Sequence, residues 1–189
     1  MKAPSLTLGI EEEYQVVAPE TGELRSYITQ ILKDGRITVE DVKPELHQSV
    51  LEVGSSICHT PTEIREEVVR LRTAVTDLAA KEDLKILAAG THPFSSWMEQ
   101  KITPLERYMD VAENLQELAK RNLIFGMHVH VGIEDQEFLI DAMKVARYFL
   151  PHVLALSTSS PFWMGRKTGL KSYRTGLLQN FPRTGIPPE

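Results

Sequence analysis

Hydrophobic and polar residues alternate along the chain in ways that predict both strands and helices. Residues 6–17 alternate with the period of two that is typical of a strand, and further strands are predicted at 47–56, 84–90 and 123–133. The strand at 84–90 is short and apolar, so we expect it to be buried. Strands that alternate with helices predict an α/β or α+β layer structure, and spacing alone leaves both open.

The clearest helical signal is "TPTEIREEVVRLRTAVTDLAAKED", which begins at Thr60. Thr60 is the predicted N-cap, Pro61 occupies the first helical position, and Glu63 completes a capping box. Apolar residues then recur at helical spacing.

Three more helices are predicted with less distinctive ends. A short one is expected at 27–33, and an amphipathic one at 105–121. Asp135 is a predicted N-cap for the third, which Pro151 should kink or interrupt. From Ser157 onward no regular pattern is predicted.

Composition narrows the class of protein. The chain has 189 residues, a net charge of -5 and one cysteine, Cys58. This size fits one domain, and the acidic balance argues against a nucleic-acid-binding surface. A single cysteine excludes an intrachain disulfide and is typical of a reducing compartment. No apolar run reaches membrane-spanning length, so we expect a cytoplasmic protein without a membrane partner.

The stretch "LGIEEEYQVV" places three glutamates in the first predicted strand. Side chains of a strand alternate between faces, so Glu11 and Glu13 share a face with Gly9, and Glu12 points to the apolar side. Two adjacent carboxylates are tolerated when a cation lies between them, and oxygen ligands suit Mg²⁺ or Mn²⁺. We expect Glu12 to form a structural ion pair or to lie at a sheet edge.

Two other predicted strands carry polar residues that need an explanation. In "GMHVHVGI", His128 and His130 share one face with flanking glycines, and the other face is apolar. In "PELHQSVLEV", Glu52 stands among apolar residues, where a charge is costly unless it is paired or coordinated, and Glu45 lies nearby. The three segments together predict a carboxylate–imidazole metal site. Taken singly, each could be a solvated face, an exposed histidine pair or a buried glutamate without function.

These segments resemble the glutamate–cysteine ligase type 2, or carboxylate–amine ligase, family. "GIEEEYQVV", "ELHQSVLEV" and "GMHVHVGI" resemble its acidic and histidine strands, in the same order. The block "LALSTSSPFWMGRKTGLKSYRTGLLQNFPRTGIPP" is the most specific resemblance.

The resemblance implies an α+β fold like the catalytic domain of glutamine synthetase. In this fold a curved, mainly antiparallel sheet carries helices on one side. It implies an ATP-dependent ligase that activates a carboxylate, such as the γ-carboxylate of glutamate, as an acyl phosphate. An amine, such as that of cysteine, then attacks. ATP and Mg²⁺ (or Mn²⁺) are the implied cofactors.

Site roles follow from the resemblance in the same way. Glu11, Glu13, Glu52 and His128 are the implied catalytic and metal-binding residues, with Glu45 a further metal ligand. Cofactor or substrate binding is implied for four others: His130, Arg166, Arg174 and Arg183.

Members of this family are about twice as long as this chain. We therefore expect residues 1–189 to be the N-terminal half of a single catalytic domain, with an open sheet edge. Such a half would form a homo-oligomer or pair with a missing C-terminal half. Two other functions stay open: a catalytically silent binding or assembly module, and a Zn²⁺ or Fe²⁺ metallohydrolase.

Overall fold

The computed structural model of the chain describes residues 6–27, 42–182 and 184–185. The strands are β1 (Leu6–Val17), β2 (Val42–Pro44), β3 (Val50–Gly54), β4 (Lys85–Leu87), β5 (Met127–Ile133), β6 (Phe162–Trp163) and β7 (Arg166–Lys167). The helices are α1 (Pro61–Ala80), α2 (Glu106–Leu115), α3 (Glu117–Arg121), α4 (Gln136–Leu156) and α5 (Tyr173–Leu178). A 3₁₀ turn covers Trp97–Glu99.

Strand β1 is the centre of an antiparallel sheet with the order β2-β3-β1-β4, and β5 also pairs with β1. One edge of β1 pairs with β3. The opposite edge pairs with β5 along its first half and with β4 at its end. The α+β expectation is confirmed, with an antiparallel sheet and separate helices.

Helix α1 covers one face of this sheet. Tyr14 and Val16 of β1 are buried against Leu71 and Val75 of α1, and Val53 of β3 completes the contact. This packing holds β1 in place, so the opposite face of β1 is free to carry polar side chains. The prediction that residues 6–17 form one strand is confirmed over the whole segment.

The predicted helix start at Thr60 is also confirmed. The Thr60 hydroxyl accepts a hydrogen bond from the backbone N–H of Glu63. The Glu63 carboxylate reaches back to the N–H of His59, one residue before the cap. The start of α1 is therefore fixed by two reciprocal hydrogen bonds.

One helix prediction was wrong in detail, and a second is only partly tested. The helix expected at 105–121 is divided at Gln116, whose φ of 49° cannot occur inside an α-helix. Beyond it, α3 buries Ala119 completely. Helix α4 runs through Pro151, so the proline does not interrupt it, and a kink at this position stays a prediction.

Other differences concern strands and the chain end. Strand β4 is shorter than predicted, and its Lys85 and Leu87 are exposed, because β4 lies at an edge of the sheet. Ordered elements, the β6–β7 hairpin and α5, follow Ser157, where no pattern was predicted. The helix predicted at 27–33 lies, apart from Tyr27, outside the described residues. Among the described helices, none combines the length and the apolar character needed to cross a bilayer.

Candidate metal centre

The register between β1 and β5 brings Glu11 together with both histidines. Glu11 lies directly opposite His128, and Gly9 lies opposite His130. The Glu11 Oε2 atom is 3.0 Å from His130 Nε2 and 3.4 Å from His128 Nδ1. Glu11, His128 and His130 each offer one ligand atom within 4.8 Å of the others. We call this set the imidazole cluster.

A second set of ligand atoms lies two residues further along the same face of β1. Glu13 is the cross-strand partner of Glu52 on β3. Glu45, which follows β2, joins them, and the three carboxylates offer oxygen atoms within 4.8 Å of one another. We call this set the carboxylate cluster.

The two clusters differ in their electrostatics. Burial, together with the neighbouring carboxylates of Glu45 and Glu11, raises the pKa of Glu52 to about 7. Burial and Glu45 also raise the pKa of Glu13, although the N–H of Gly126 opposes this. Burial acts on Glu11 as well, but hydrogen bonds to His130 and His128 bring its pKa below the ordinary value. The raised pKa values in the carboxylate cluster therefore indicate that its carboxylates repel one another more strongly than nearby positive charges attract them.

Gly126 and Arg174 border both clusters. The backbone N–H of Gly126 donates to Glu13 Oε2 at 2.6 Å. A Cβ at this position would lie 2.8 Å from Arg174 Nη2 and 3.2 Å from His128 Nε2, so a glycine lets both side chains approach. The Nε of Arg174 is buried and has no hydrogen-bond partner among the described residues. Arg174 is thus a partly buried cation beside Glu13.

The opposite face of β1 carries the predicted structural ion pair. Glu12 is buried and accepts hydrogen bonds from Tyr14 and from Arg72 of α1, with Arg72 Nε 3.0 Å from Glu12 Oε2. Although burial raises the pKa of Glu12, the hydrogen bond from Arg72 lowers it below the ordinary value. The expectation for Glu12 is confirmed, and the contact joins β1 to α1 behind the two clusters.

An open cavity of about 400 Å³ adjoins the imidazole cluster. Glu11 and His130 form one wall, and Lys43 with Ser55 forms part of another. Lys43 Nζ also lies 3.8 Å from Glu52 Oε1, so this lysine connects the cavity to the carboxylate cluster.

The remaining predicted residues fall outside these clusters. Arg166 is exposed on β7, and no hydrogen bond or ion pair found in the described part of the chain connects it with either cluster. Arg183 lies outside the described residues. His130, predicted to bind a cofactor, lies in the imidazole cluster with the predicted metal residue His128.

Sequence reasoning missed Lys43 and Arg72. Lys43 lies opposite Glu52 because β2 pairs with β3, and Arg72 reaches Glu12 from α1; neither pairing has a signal in the local spacing of the sequence.

The donor atoms suit divalent cations. An all-oxygen set such as the carboxylate cluster is typical of Mg²⁺ or Mn²⁺ sites. The raised pKa of Glu52 fits a cation there, because a positive charge would relieve the repulsion that now favours its protonated form. The imidazole cluster, with two nitrogens and one carboxylate, favours a transition metal such as Mn²⁺ over Mg²⁺.

Similar sequences place the chain in a family. Residues 7–189 match the profile of Glutamate-cysteine ligase family 2 (GCS2). A protein of Roseiflexus castenholzii, provisionally named glutamate–cysteine ligase 2, is 67% identical over 183 residues, which are 96% of this chain and 48% of that protein. A protein of Chloroflexus aurantiacus with the same name is 63% identical over 97% of this chain and 47% of its own length. The chain spans about half the length of these relatives.

A solved structure shares the fold. The glutamate–cysteine ligase of Francisella tularensis, crystallised in complex with AMP, superposes with a TM-score of 0.55 at 13% identity. The match covers 78% of this chain and 30% of that one. The sequence match over nearly the whole chain and the shared fold agree, and this chain belongs to Glutamate-cysteine ligase family 2.

Proposed function

We propose that the chain forms the metal-binding half of an ATP-dependent carboxylate–amine ligase. In the proposed reaction the γ-carboxylate of glutamate attacks the terminal phosphorus of ATP, and ADP leaves. The amine of cysteine then attacks the acyl carbon, phosphate leaves, and a γ-glutamyl amide remains. This proposal rests on family membership and on the two ligand clusters.

The observation that carries the proposal is the position of the two clusters on one face of β1. Glu11 and Glu13 are separated by one residue, so the clusters lie about 7 Å apart along the strand. Phosphoryl transfer depends mainly on positioning and on neutralisation of phosphate charge. A single strand that carries two cation sites side by side suits that requirement.

The chain's own residues then have distinct roles. Glu13, Glu45 and Glu52 would hold one cation, and Glu11, His128 and His130 a second. Bound divalent cations would neutralise phosphate oxygens of ATP. Because the pKa of Glu52 is raised to about 7, this carboxyl would release a proton on binding a cation.

Arg174 is the best supported of the three predicted arginines. Its guanidinium lies beside Glu13 and Gly126, its buried Nε has no hydrogen-bond partner among the described residues, and its side chain lines the cavities on both sides of Glu13. Carboxylate and phosphate groups bind such donors in bidentate fashion, so we assign Arg174 to the glutamate carboxylate or to a phosphate. Arg166 and Arg183 stay predictions for the same task.

A second candidate function has one observation in its favour. The imidazole cluster presents two imidazoles and one carboxylate, a donor set that also occurs in Zn²⁺ and Fe²⁺ enzymes. A metallohydrolase would bind Zn²⁺ in preference to Mn²⁺ and would turn over without ATP. The all-carboxylate cluster beside it favours the ligase.

The proposed function is tested in a full-length chimera. This chain replaces the matching 183 residues of the Roseiflexus castenholzii relative, and ADP formation is measured with glutamate and cysteine. We expect ADP formation that requires both substrates. Glu52→Gln should lower the rate about 100-fold or more, because even outer partners of metal ligands cost 10–100-fold. Glu66→Gln, an exposed glutamate on α1, is the matched control. An inactive chimera beside an active relative would contradict the proposal.

A further inference from the structure

Three charged side chains form a row across neighbouring strands of the sheet. Lys43 of β2 lies opposite Glu52 of β3, which in turn lies opposite Glu13 of β1. Arg174 adjoins the inner end of this row, beside Glu13 and Gly126. A cation therefore flanks the two carboxylates on each side, and the roles given to the carboxylates and to Arg174 leave Lys43 unexplained.

The contact between Lys43 and Glu52 is loose. Lys43 Nζ lies 3.8 Å from Glu52 Oε1, which is too long for a hydrogen bond, and the lysine side chain is 54% exposed. An exposed ion pair of this kind contributes little to the stability of a fold. An ammonium group has three hydrogen-bond donors, and within the described residues this contact is the one ion pair found for Lys43 Nζ. Lys43 is therefore able to bind a further anion.

The open cavity of about 400 Å³ beside the imidazole cluster provides room for such an anion. Among the described residues that line it, Lys43 is the one lysine or arginine, and Glu11 and His130 form a different wall. Gly54 lies between these walls, because a Cβ at this position would be 3.9 Å from both Lys43 Nζ and Glu11 Cγ. Since glycine has no side chain, residue 54 does not separate the ammonium group from the imidazole cluster.

The charges around the cavity favour a phosphate chain over a single carboxylate. A cation held by the imidazole cluster and the ammonium group of Lys43 would place positive charge on two walls of one cavity. A phosphate chain carries several negatively charged oxygen atoms and is able to meet both walls, whereas a carboxylate has two oxygen atoms and one charge. Lysine also binds phosphate as a compact point charge, whereas arginine suits planar bidentate contacts.

We propose that Lys43 binds the phosphate chain of the nucleotide in this cavity. The identity of the nucleotide and the presence of a cation beside it rest on the proposed function. The same ammonium group repels a cation that binds at Glu52, because the two positive charges would share that carboxylate. Removal of the Lys43 charge should therefore weaken phosphate binding and strengthen cation binding, and a lysine that only supports the fold would not produce this pair of opposite effects.

The test is calorimetric titration of the full-length chimera at saturating Mn²⁺. The ligands are AMP-PNP, which resists cleavage of its terminal phosphate, and inorganic tripolyphosphate. Lys43→Met should lower the affinity for both at least about tenfold, because it removes a hydrogen bond between charged groups. Lys43→Arg keeps the charge and should lower both affinities less. Without either ligand, Lys43→Met should raise the affinity for Mn²⁺ about two- to fivefold, the range for exposed charge pairs.

Lys85→Met is the matched control, because Lys85 is an exposed lysine on β4, at the opposite end of the strand order from β2. Thermal unfolding of each variant checks that the protein is folded. Equal tripolyphosphate affinity for the parent and Lys43→Met would overturn the proposal, as would no binding by the parent or an equal loss with Lys85→Met. Binding that depends on Lys43, in a chimera that forms no ADP, would support this proposal and contradict the ligase function alone.

Discussion

Glu13 and Glu52 lie directly opposite each other on antiparallel strands, with their side chains on the same face. Like charges at directly opposite positions destabilise a sheet, and here Glu45 adds a third carboxylate. Burial and the neighbouring carboxylates raise the pKa of Glu52 to about 7, so the carboxyl of Glu52 is partly protonated near neutral pH and the repulsion is smaller. A divalent cation would relieve it more completely.

Glu52→Gln should therefore change stability and metal affinity in opposite directions. Without metal, at pH 8, the variant loses a repulsive charge, and we expect its free energy of unfolding to rise by about 0.5 kcal/mol. Its affinity for Mn²⁺ should fall about tenfold or more. Urea denaturation in EDTA and calorimetric titration measure the two effects. A variant that is less stable and binds Mn²⁺ as well as the parent would argue against a metal role.

Metal affinity should depend on pH through the same carboxyl. Because the pKa of Glu52 is about 7 without metal, the chain holds a proton there at lower pH that a cation must displace. We expect Mn²⁺ affinity to rise from pH 6 to pH 8 and then to level off. Titrations in buffers of different ionisation enthalpy would detect the released proton. Glu52→Gln should flatten this part of the profile, and a parent profile that is flat over this range would contradict the assignment.

Arg72→Met should lower the free energy of unfolding, although Arg72 contacts the face of β1 opposite the two clusters. The substitution leaves Glu12 buried without its cation, and we expect a loss of about 1–3 kcal/mol, reduced from the value for a fully buried pair because Arg72 is itself half exposed. Chemical denaturation at pH 7 measures the loss.

The matched control for Arg72 is a neighbouring arginine on α1. Arg70 pairs with Glu67 within the same helix, and Arg70→Met should cost less than about 1 kcal/mol, as is usual for surface pairs. Equal losses for the two variants would mean that the contact between Arg72 and Glu12 is no more important than a surface pair.

Because His47 is buried, the free energy of unfolding should fall in acid. This histidine is buried, its Nε2–H donates one hydrogen bond to the backbone carbonyl oxygen of Lys120, and burial lowers its pKa to about 4. Between pH 6.5 and 4 the unfolded chain therefore binds more protons at this position than the folded chain, so stability falls as the pH is lowered. The loss should be about 1.4 kcal/mol per pH unit within this range.

His47→Gln isolates that contribution. The difference in unfolding free energy between parent and variant should depend on pH between 6.5 and 4 and become constant above 7. His59→Gln, an exposed histidine, should leave the pH dependence of the parent unchanged. A pH-independent difference for His47→Gln would show that the folded chain protonates this histidine normally.

Much of the site's framework could be predicted from strand alternation. The period of two places Glu11 and Glu13 on one face and Glu12 on the other, and the structure has this arrangement, with Glu12 paired to Arg72. The grouping within the site could not be predicted in the same way. Which histidine meets Glu11 depends on the register between β1 and β5, and that register brings in His130 as closely as His128.

Tertiary effects explain where the predictions failed. The apolar pattern of residues 105–121 continues through Gln116, and the positive φ that divides the helix leaves no signal in that pattern. The apolar residues of 84–90 indicated burial, but an edge position leaves β4 largely exposed. Helix α4 has the apolar residues of a buried helix, yet none of its residues is buried. Hydrophobicity indicates that a helix needs a partner, and it does not indicate where that partner lies.

The most direct test of the proposed metal centre is calorimetric titration of the folded chain with Mn²⁺ in the presence of ADP. The parent is compared with the Glu11→Gln/Glu13→Gln double variant, which removes one carboxylate from each cluster, and with Glu66→Gln as the control. We predict binding by the parent and the control, and none by the double variant at the same concentrations. No binding by a folded parent, or unchanged binding by the double variant, would contradict the claim that β1 carries the metal site.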